Sequence, residues 1–329
     1  IQEEFLEFGL SLCNLFELAD DEDLKRKPDA IYLYGSPGGV LDKFSDLPTV
    51  FYDDQNRGIL VGAVPNQERF GYFGYLKKMI LTLHNITMMK KGCLPFHGAL
   101  VKISIDQQDY SILLVGESGA GKSETLEAFR VLGDELLQDM TIIADDMGSL
   151  QLKNGDIVGY GSEIGAFIRL DDLQPGYEFG QMGRAIFLSP SQTNARLLLP
   201  ITPYARVREG TKIDLVLYAN NYQEVNPDHP VIEEFSSSAT ALEVFREGKV
   251  MSKGTTTAEG IVGSYFGNIF GPPQYRDLHE KLAEKYFELF FDKGLFVGQI
   301  RTQLGLPGWE TSGPEGAARA LISLITQMG

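Results

Sequence analysis

The chain has 329 residues, with 29 Lys and Arg against 45 Asp and Glu, a formal charge of −16. That acidic balance argues against nucleic acid or an anionic membrane as a general partner, so no nucleic acid and no membrane is expected. Hydrophobic residues make up 43% of the chain, enough for a real core, which excludes wholesale disorder.

In chain order, residues 1–30 read as an acidic amphipathic helix with Phe5, Leu6, Leu10, Leu12 and Phe16 on its apolar face. Pro28 and the cluster Gly35-Ser36-Pro37-Gly38-Gly39 break it. Ile59 to Val64 reads as a strand, and Tyr75 to Lys90 as a helix that ends near Gly92. Ala99 to Ile105 alternates like a strand, with Asp106 to Asp109 as its turn. Ser111 to Val115 is a short apolar run of the buried-strand type, and Glu124 to Arg130 is an amphipathic helix. Met140 to Asp146 is an apolar strand ending in two carboxylates. Ala185 to Leu188 and Ile213 to Tyr218 read as strands, and Asn220 to Glu234, with Pro227 and Pro230, as loop. Pro272-Pro273 opens a helix from Gln274 to Phe291, and a last helix spans Pro314 to Gln327. The pattern predicts an α/β fold with a central mixed sheet. No apolar run reaches the roughly 18 residues of a membrane span. The start, Ile1-Gln2-Glu3-Glu4, lacks a secretion-signal pattern. Cys13 and Cys93 have no metal-type spacing, so a reducing, cytoplasmic setting is expected.

The stretch Gly116-Glu117-Ser118-Gly119-Ala120-Gly121-Lys122-Ser123 matches the phosphate-loop pattern G-x-x-x-x-G-K-[ST] at every fixed position. It lies between a predicted strand and a predicted helix. There, backbone N–H groups converge on one anion. Lys122 adds a charge for a terminal phosphate, and Ser123 a hydroxyl for a divalent cation. Such a loop works with a carboxylate at a neighbouring strand end, and Asp145-Asp146 is the candidate. Taken alone, His97 reads as a packed residue, and Lys77-Lys78 as a solvated helix face.

The order of motifs changes that reading. Tyr72-Phe73-Gly74-Tyr75-Leu76-Lys77-Lys78, His97 before a strand, the loop Gly116 to Ser123, Ala144-Asp145-Asp146, and Asn194-Ala195-Arg196 running to Pro200 follow one another along the chain. Gly254-Thr255-Thr256-Thr257-Ala258-Glu259-Gly260 and Tyr265-Phe266-Gly267-Asn268-Ile269-Phe270-Gly271 come after them. From about residue 72 onward this ordered set resembles the phosphoenolpyruvate carboxykinases. The resemblance implies a carboxykinase-like phosphate-loop core over 96–329 and a reduced N-terminal region over 1–95. It implies that Lys78, His97 and Asp146 hold Mn²⁺, and that Lys122 and Ser123 serve the donor phosphates and their Mg²⁺. Lys77 would assist at the transferring phosphoryl group, and Tyr72, Ser118 and Arg196 would contact the acceptor. A Lys ligand must be neutral, which a metal and neighbouring cations favour. The segment Phe96-His97-Gly98-Ala99-Leu100-Val101, the loop and Ala144-Asp145-Asp146 also resemble HPr protein kinase/phosphorylase. In that family the strand-end Asp is the base on a serine hydroxyl.

Two departures from the carboxykinase pattern stand out. The N-terminal region is short, and Arg57 and Arg69 are the candidates there for gripping a substrate carboxylate. The stretch Glu310 to Arg319 retains only the final Arg of the family's adenine-site run. Pyrophosphate, which needs only the loop and cations, is therefore an expected donor beside ATP. The function expected is metal-dependent phosphoryl transfer from ATP or pyrophosphate to a small, carboxylate-bearing acceptor. If the acceptor is a hydroxyl, Asp145 is the expected base. The alternatives are a carboxykinase converting oxaloacetate to phosphoenolpyruvate, and an HPr-kinase-like protein serine kinase or nucleotide-binding regulatory module.

Overall fold

A computed structural model of the protein describes residues 1–41, 49–133, 137–169, 185–188, 195–252 and 260–329. The chain divides into two compact units, each discontinuous in sequence. The first takes residues 1–91, 162–204 and 270–275, and the second 92–161, 205–269 and 276–329. Both mix strands and helices, so the α/β class expected from the pattern holds. Elements are numbered in chain order.

The first unit contains a sheet of β1 (Ala30–Ser36), β2 (Val50–Asp54) and β3 (Ile59–Pro65), in the order β1-β3-β2. Helix α1 (Leu6–Ser11) is short, and α2 (Phe73–Lys90) is long and largely buried. A second sheet holds β9 (Gly165–Arg169), β10 (Ile186–Leu188) and β11 (Arg196–Pro200), all antiparallel, with β11 in the centre. Phe8, Leu15, Tyr34, Phe73, Leu76 and Leu198 meet in one core. The single helix expected over residues 1–30 is not formed. Outside α1 the described chain there has only single 3₁₀ turns. Leu6 and Leu10 are exposed, while Phe8 and Leu15 are buried, so the apolar residues do not line one stripe. Helices below about 12 residues have little stability of their own, and tertiary packing decides their length. Strands β1 and β2 have no counterpart in the sequence reading.

The second unit is built on a nine-stranded mixed sheet. Its strands are β4 (Leu94–Ile105), β5 (Gln108–Val115), β6 (Leu137–Ala144), β7 (Met147–Lys153), β8 (Asp156–Gly161), β12 (Thr211–Lys212), β13 (Leu215–Asn220), β14 (Ile232–Glu234) and β17 (Phe296–Arg301). β5, β13 and β17 run parallel at its middle. Alternate residues of these strands face opposite layers. Ile112, Leu114, Leu215 and Leu217 join the core under α3 (Lys122–Leu132) and α7 (Ser312–Met328). Leu113, Val115 and Val216 face Phe245, Phe287 and Phe290 of α5 (Ser238–Glu247) and α6 (Arg276–Asp292) across a cavity of about 20 Å³. Burial on both faces explains why these strands read as unbroken apolar runs. Helix α4 (Tyr204–Glu209) and the hairpin of β15 (Lys249–Met251) and β16 (Ile261–Gly263) complete the elements.

Several boundaries differ from expectation. Asn220 closes β13, and Ile232 to Glu234 form an edge strand on β17, so the expected loop from 220 to 234 is shorter. Pairing with an existing edge overrides the weak local pattern there. The strand ending in two carboxylates stops at Ala144, and Asp145-Asp146 form the corner between β6 and β7. His97 lies inside β4 rather than ahead of it. Among the described residues no helix is long and apolar enough to cross a membrane.

Candidate phosphate-binding site

Strand β4 organises the site. It pairs with β5 on one side, and with β7 and then β6 on the other. His97 stands opposite Met147, and Leu100 opposite Ala144, so the Asp145-Asp146 corner lies against Gly98. The Gly98 N–H donates to the Asp146 carbonyl at 2.9 Å. On the opposite side Gly98 pairs with Val115, the last residue of β5, and the Gly116 N–H donates to the His97 carbonyl at 3.1 Å. Three motifs separated in sequence thus meet along four residues of one strand.

The loop from Gly116 to Gly121 leads from β5 into α3. Gly119 and Gly121 have φ of 81° and 91°, the left-handed region that glycine adopts without steric cost. The first N–H groups of α3 have no intrahelical acceptor and carry the positive end of its dipole. Lys122 is buried, and its ammonium donates to the carbonyls of Gly116 at 2.7 Å and Glu117 at 3.0 Å. Burial pushes its pKa below the ordinary lysine value, while Asp146, Glu124 and Asp145 pull it back up. Ser118 is exposed and Ser123 half-buried beside it.

His97 is buried, and its two ring nitrogens are both engaged. Nδ1 donates to the Gly267 carbonyl, and Nε2 lies 2.8 Å from Asp146 Oδ1. With the proton on Nδ1, a neutral ring turns a lone pair at Nε2 toward a carboxylate. Two acceptors at that distance need a cation to share, either a proton or a metal ion. An imidazole nitrogen and a carboxylate oxygen suit Mn²⁺ as ligands. Among the described residues no group of three or more His, Cys, Asp and Glu is arranged around a metal position.

The turn that meets His97 is strained. Phe266, Gly267 and Asn268 have successive positive φ of 48°, 68° and 66°. For Phe266 this costs about 1–2 kcal/mol. A Cβ on Gly267 would stand 2.7 Å from the Gly116 carbonyl carbon, so the turn rests directly on the loop backbone. Asn268 Nδ2 donates to Glu117 Oε1 at 3.2 Å. Phe266 is buried among Phe287 and His279. The Tyr265 hydroxyl lies 2.7 Å from His279 Nδ1, under the Arg276 guanidinium.

The remaining predicted residues belong to the first unit. Lys77 and Lys78, adjacent on α2, part company. Lys77 is buried, so it is no solvated face, and its ammonium pairs with the buried Glu163 at 3.0 Å. Lys78 is exposed, with its ammonium 5.6 Å from the centre of the Phe270 ring. Tyr72 caps α2, and its hydroxyl accepts from Arg196 Nε at 3.3 Å. Phe167 of β9 gathers these groups: its ring centre lies 5.6 Å from the Lys77 ammonium and 5.5 Å from the Arg196 guanidinium. Arg57 is tied to Asp54 on the surface, and Arg69 lies over the Phe70 ring. Asn194 and residues 254–259 lie outside the described residues. Sequence reasoning missed Glu163 and Phe167, which carry no local pattern and face Lys77 only through β9 and the segment before it.

No protein-family model matches the chain, and no curated protein matches it in sequence.

Proposed function

We propose that the protein is a metal-dependent phosphotransferase of the phosphoenolpyruvate carboxykinase-like type, moving a phosphoryl group from ATP or pyrophosphate to a small, carboxylate-bearing acceptor. The observation that carries this reading is the meeting of His97, the Asp145-Asp146 corner and the loop start along β4. A metal ion shared by His97 and Asp146 would give the site more than nucleotide binding alone requires.

The residue roles follow. The loop N–H groups and Lys122 bind and neutralise the donor phosphates. The Ser123 hydroxyl would serve Mg²⁺, and His97 and Asp146 would hold Mn²⁺. When bound, these ions neutralise charge on the transferring group. Asp145 accepts the proton where the acceptor is a hydroxyl. The resemblance assigns the acceptor to Tyr72, Ser118 and Arg196, and the transferring group to Lys77, which pairs with Glu163. Catalysis is then positioning and charge compensation rather than covalent chemistry.

The donor reading has one further support. Within Glu310 to Arg319, Gly313, Pro314, Ala317 and Ala318 are buried, the two alanines in the core with α3. They are not available to clamp an adenine. Pyrophosphate is therefore expected to compete with ATP on comparable terms. The test is a screen of ATP, GTP, ADP and pyrophosphate against small hydroxy and keto acids, with dissociation constants measured in Mg²⁺. Metal-dependent transfer supports the reading. Failure of both ATP and pyrophosphate to bind overturns it. ATP binding more than about a hundredfold tighter than pyrophosphate, roughly 2.7 kcal/mol, would reveal a nucleoside pocket.

A further inference from the structure

Two carbonyls of the phosphate loop are held by side chains from far along the chain. Asn221, just beyond β13, donates its amide to the Gly119 carbonyl at 2.9 Å. Thr302, just beyond β17, donates its hydroxyl to the Ala120 carbonyl at 2.7 Å. Both side chains are fully buried. Their strands are neighbours, with Asn220 opposite Arg301, and the Thr302 N–H donates to the Asn220 carbonyl at 2.8 Å. Asn221 is itself fixed by both backbone groups of Met251. The two donors thus stand on the ends of rigid strands in the middle of the sheet.

In a trans peptide the carbonyl and the following N–H point in opposite directions. Holding the Gly119 carbonyl sets the Ala120 N–H, which donates back to the Glu117 carbonyl at 3.0 Å and closes the loop's turn. Holding the Ala120 carbonyl turns the Gly121 N–H away from Thr302. The contact is also steric: a Cβ on Gly121 would stand 2.5 Å from Thr302 Oγ1. We propose that Thr302 and Asn221 are positioning residues of the phosphate loop, fixing two consecutive peptide planes so that the loop keeps its anion-binding shape before a phosphate arrives. The inference rests on the loop being a phosphoryl-donor site. An ordered loop loses less conformational freedom on binding, and that difference appears as affinity.

The test is Thr302→Val, which keeps the shape and removes the donor, with Thr302→Ser as the rescue. Calorimetry with Mg²⁺ and pyrophosphate reads the effect, and thermal unfolding checks the fold. The valine variant should bind pyrophosphate about tenfold more weakly, about the worth of one buried hydrogen bond. Its donor KM should rise while its acceptor KM stays put, and serine should restore both to within about twofold. Asn221→Ala should weaken binding in the same direction. Should the valine variant not fold, Thr302→Ala carries the same comparison. A folded variant that binds pyrophosphate as the parent does overturns the inference alone, and so does a loss that serine fails to restore. A parent that binds neither pyrophosphate nor ATP overturns the donor-site reading together with it.

Discussion

In the second unit Lys122 and His97 rest on a frame of backbone. Lys122 donates to the carbonyls of Gly116 and Glu117 and His97 to the carbonyl of Gly267, while the Gly119 and Ala120 carbonyls accept from Asn221 and Thr302. In the first unit the charged groups rest on one another. Lys77 pairs with Glu163, Arg196 bonds to Tyr72, and both cations lie near the Phe167 ring. A backbone frame survives the loss of one side chain, because the peptide groups remain where the strands put them. A cluster of side chains has no such reserve. Damage to the loop frame should therefore appear mainly in binding and rate, and damage to the Lys77–Glu163 cluster mainly in stability.

The largest expected effect is in the first unit. Glu163→Ala removes the carboxylate that lies 3.0 Å from the buried Lys77 ammonium. Breaking one side of a buried pair costs about 3–5 kcal/mol. Urea unfolding of the variant reads it, and a loss below about 1 kcal/mol would mean that the pair is not the support of this region.

Next in size is an acid effect in the second unit, where the buried group is neutral. Burial pushes the His279 imidazole down from 6.5 to about 4. The unfolded chain then binds a proton below pH 6.5 that the folded chain refuses. Stability contributed by the neutral His is present above pH 6.5, falls as pH drops toward 4, and changes no further below that. The full loss is roughly 3 kcal/mol. His279→Gln should flatten this part of the stability–pH curve relative to the parent. Parallel curves would show that His279 does not titrate with folding.

Lys122→Ala tests the backbone frame directly. The fold should stand, and phosphoryl transfer should slow at least about a hundredfold. A folded variant within a few-fold of the parent would remove Lys122 from its role. The smallest of these effects concerns the metal. His97→Ala should weaken Mn²⁺ binding by about tenfold or more, with Asp146→Ala alike, because each deletes a proposed ligand. Paramagnetic resonance of Mn²⁺ reads it. Unchanged affinity in both variants would leave His97 and Asp146 sharing a proton rather than a metal ion.

The loop from Gly116 to Ser123 was legible in the chain because its geometry is local: a buried strand, glycines that allow left-handed φ, and a helix start lie within about ten residues. The strand-end carboxylates were legible for the same reason, since apolar residues stop at Ala144 and two acids follow. The reading of residues 1–30 as one helix failed because apolar content alone does not say which side of a short helix finds a partner. The separation of Lys77 from Lys78 was out of reach for a related reason. Adjacent helix residues point different ways, and only the packing of α2 decides which one is buried.

By itself, then, the sequence determined the α/β class, the loop with Lys122 and Ser123, and the acids at the strand end. The tertiary structure alone decided that Glu163 neutralises Lys77, that Gly267 orients His97, and that Asn221 and Thr302 hold the loop. The physical reason is strand order. Which strands become neighbours depends on how the whole sheet buries its two faces, and no local pattern of residues records that β13 and β17 will stand beside β5.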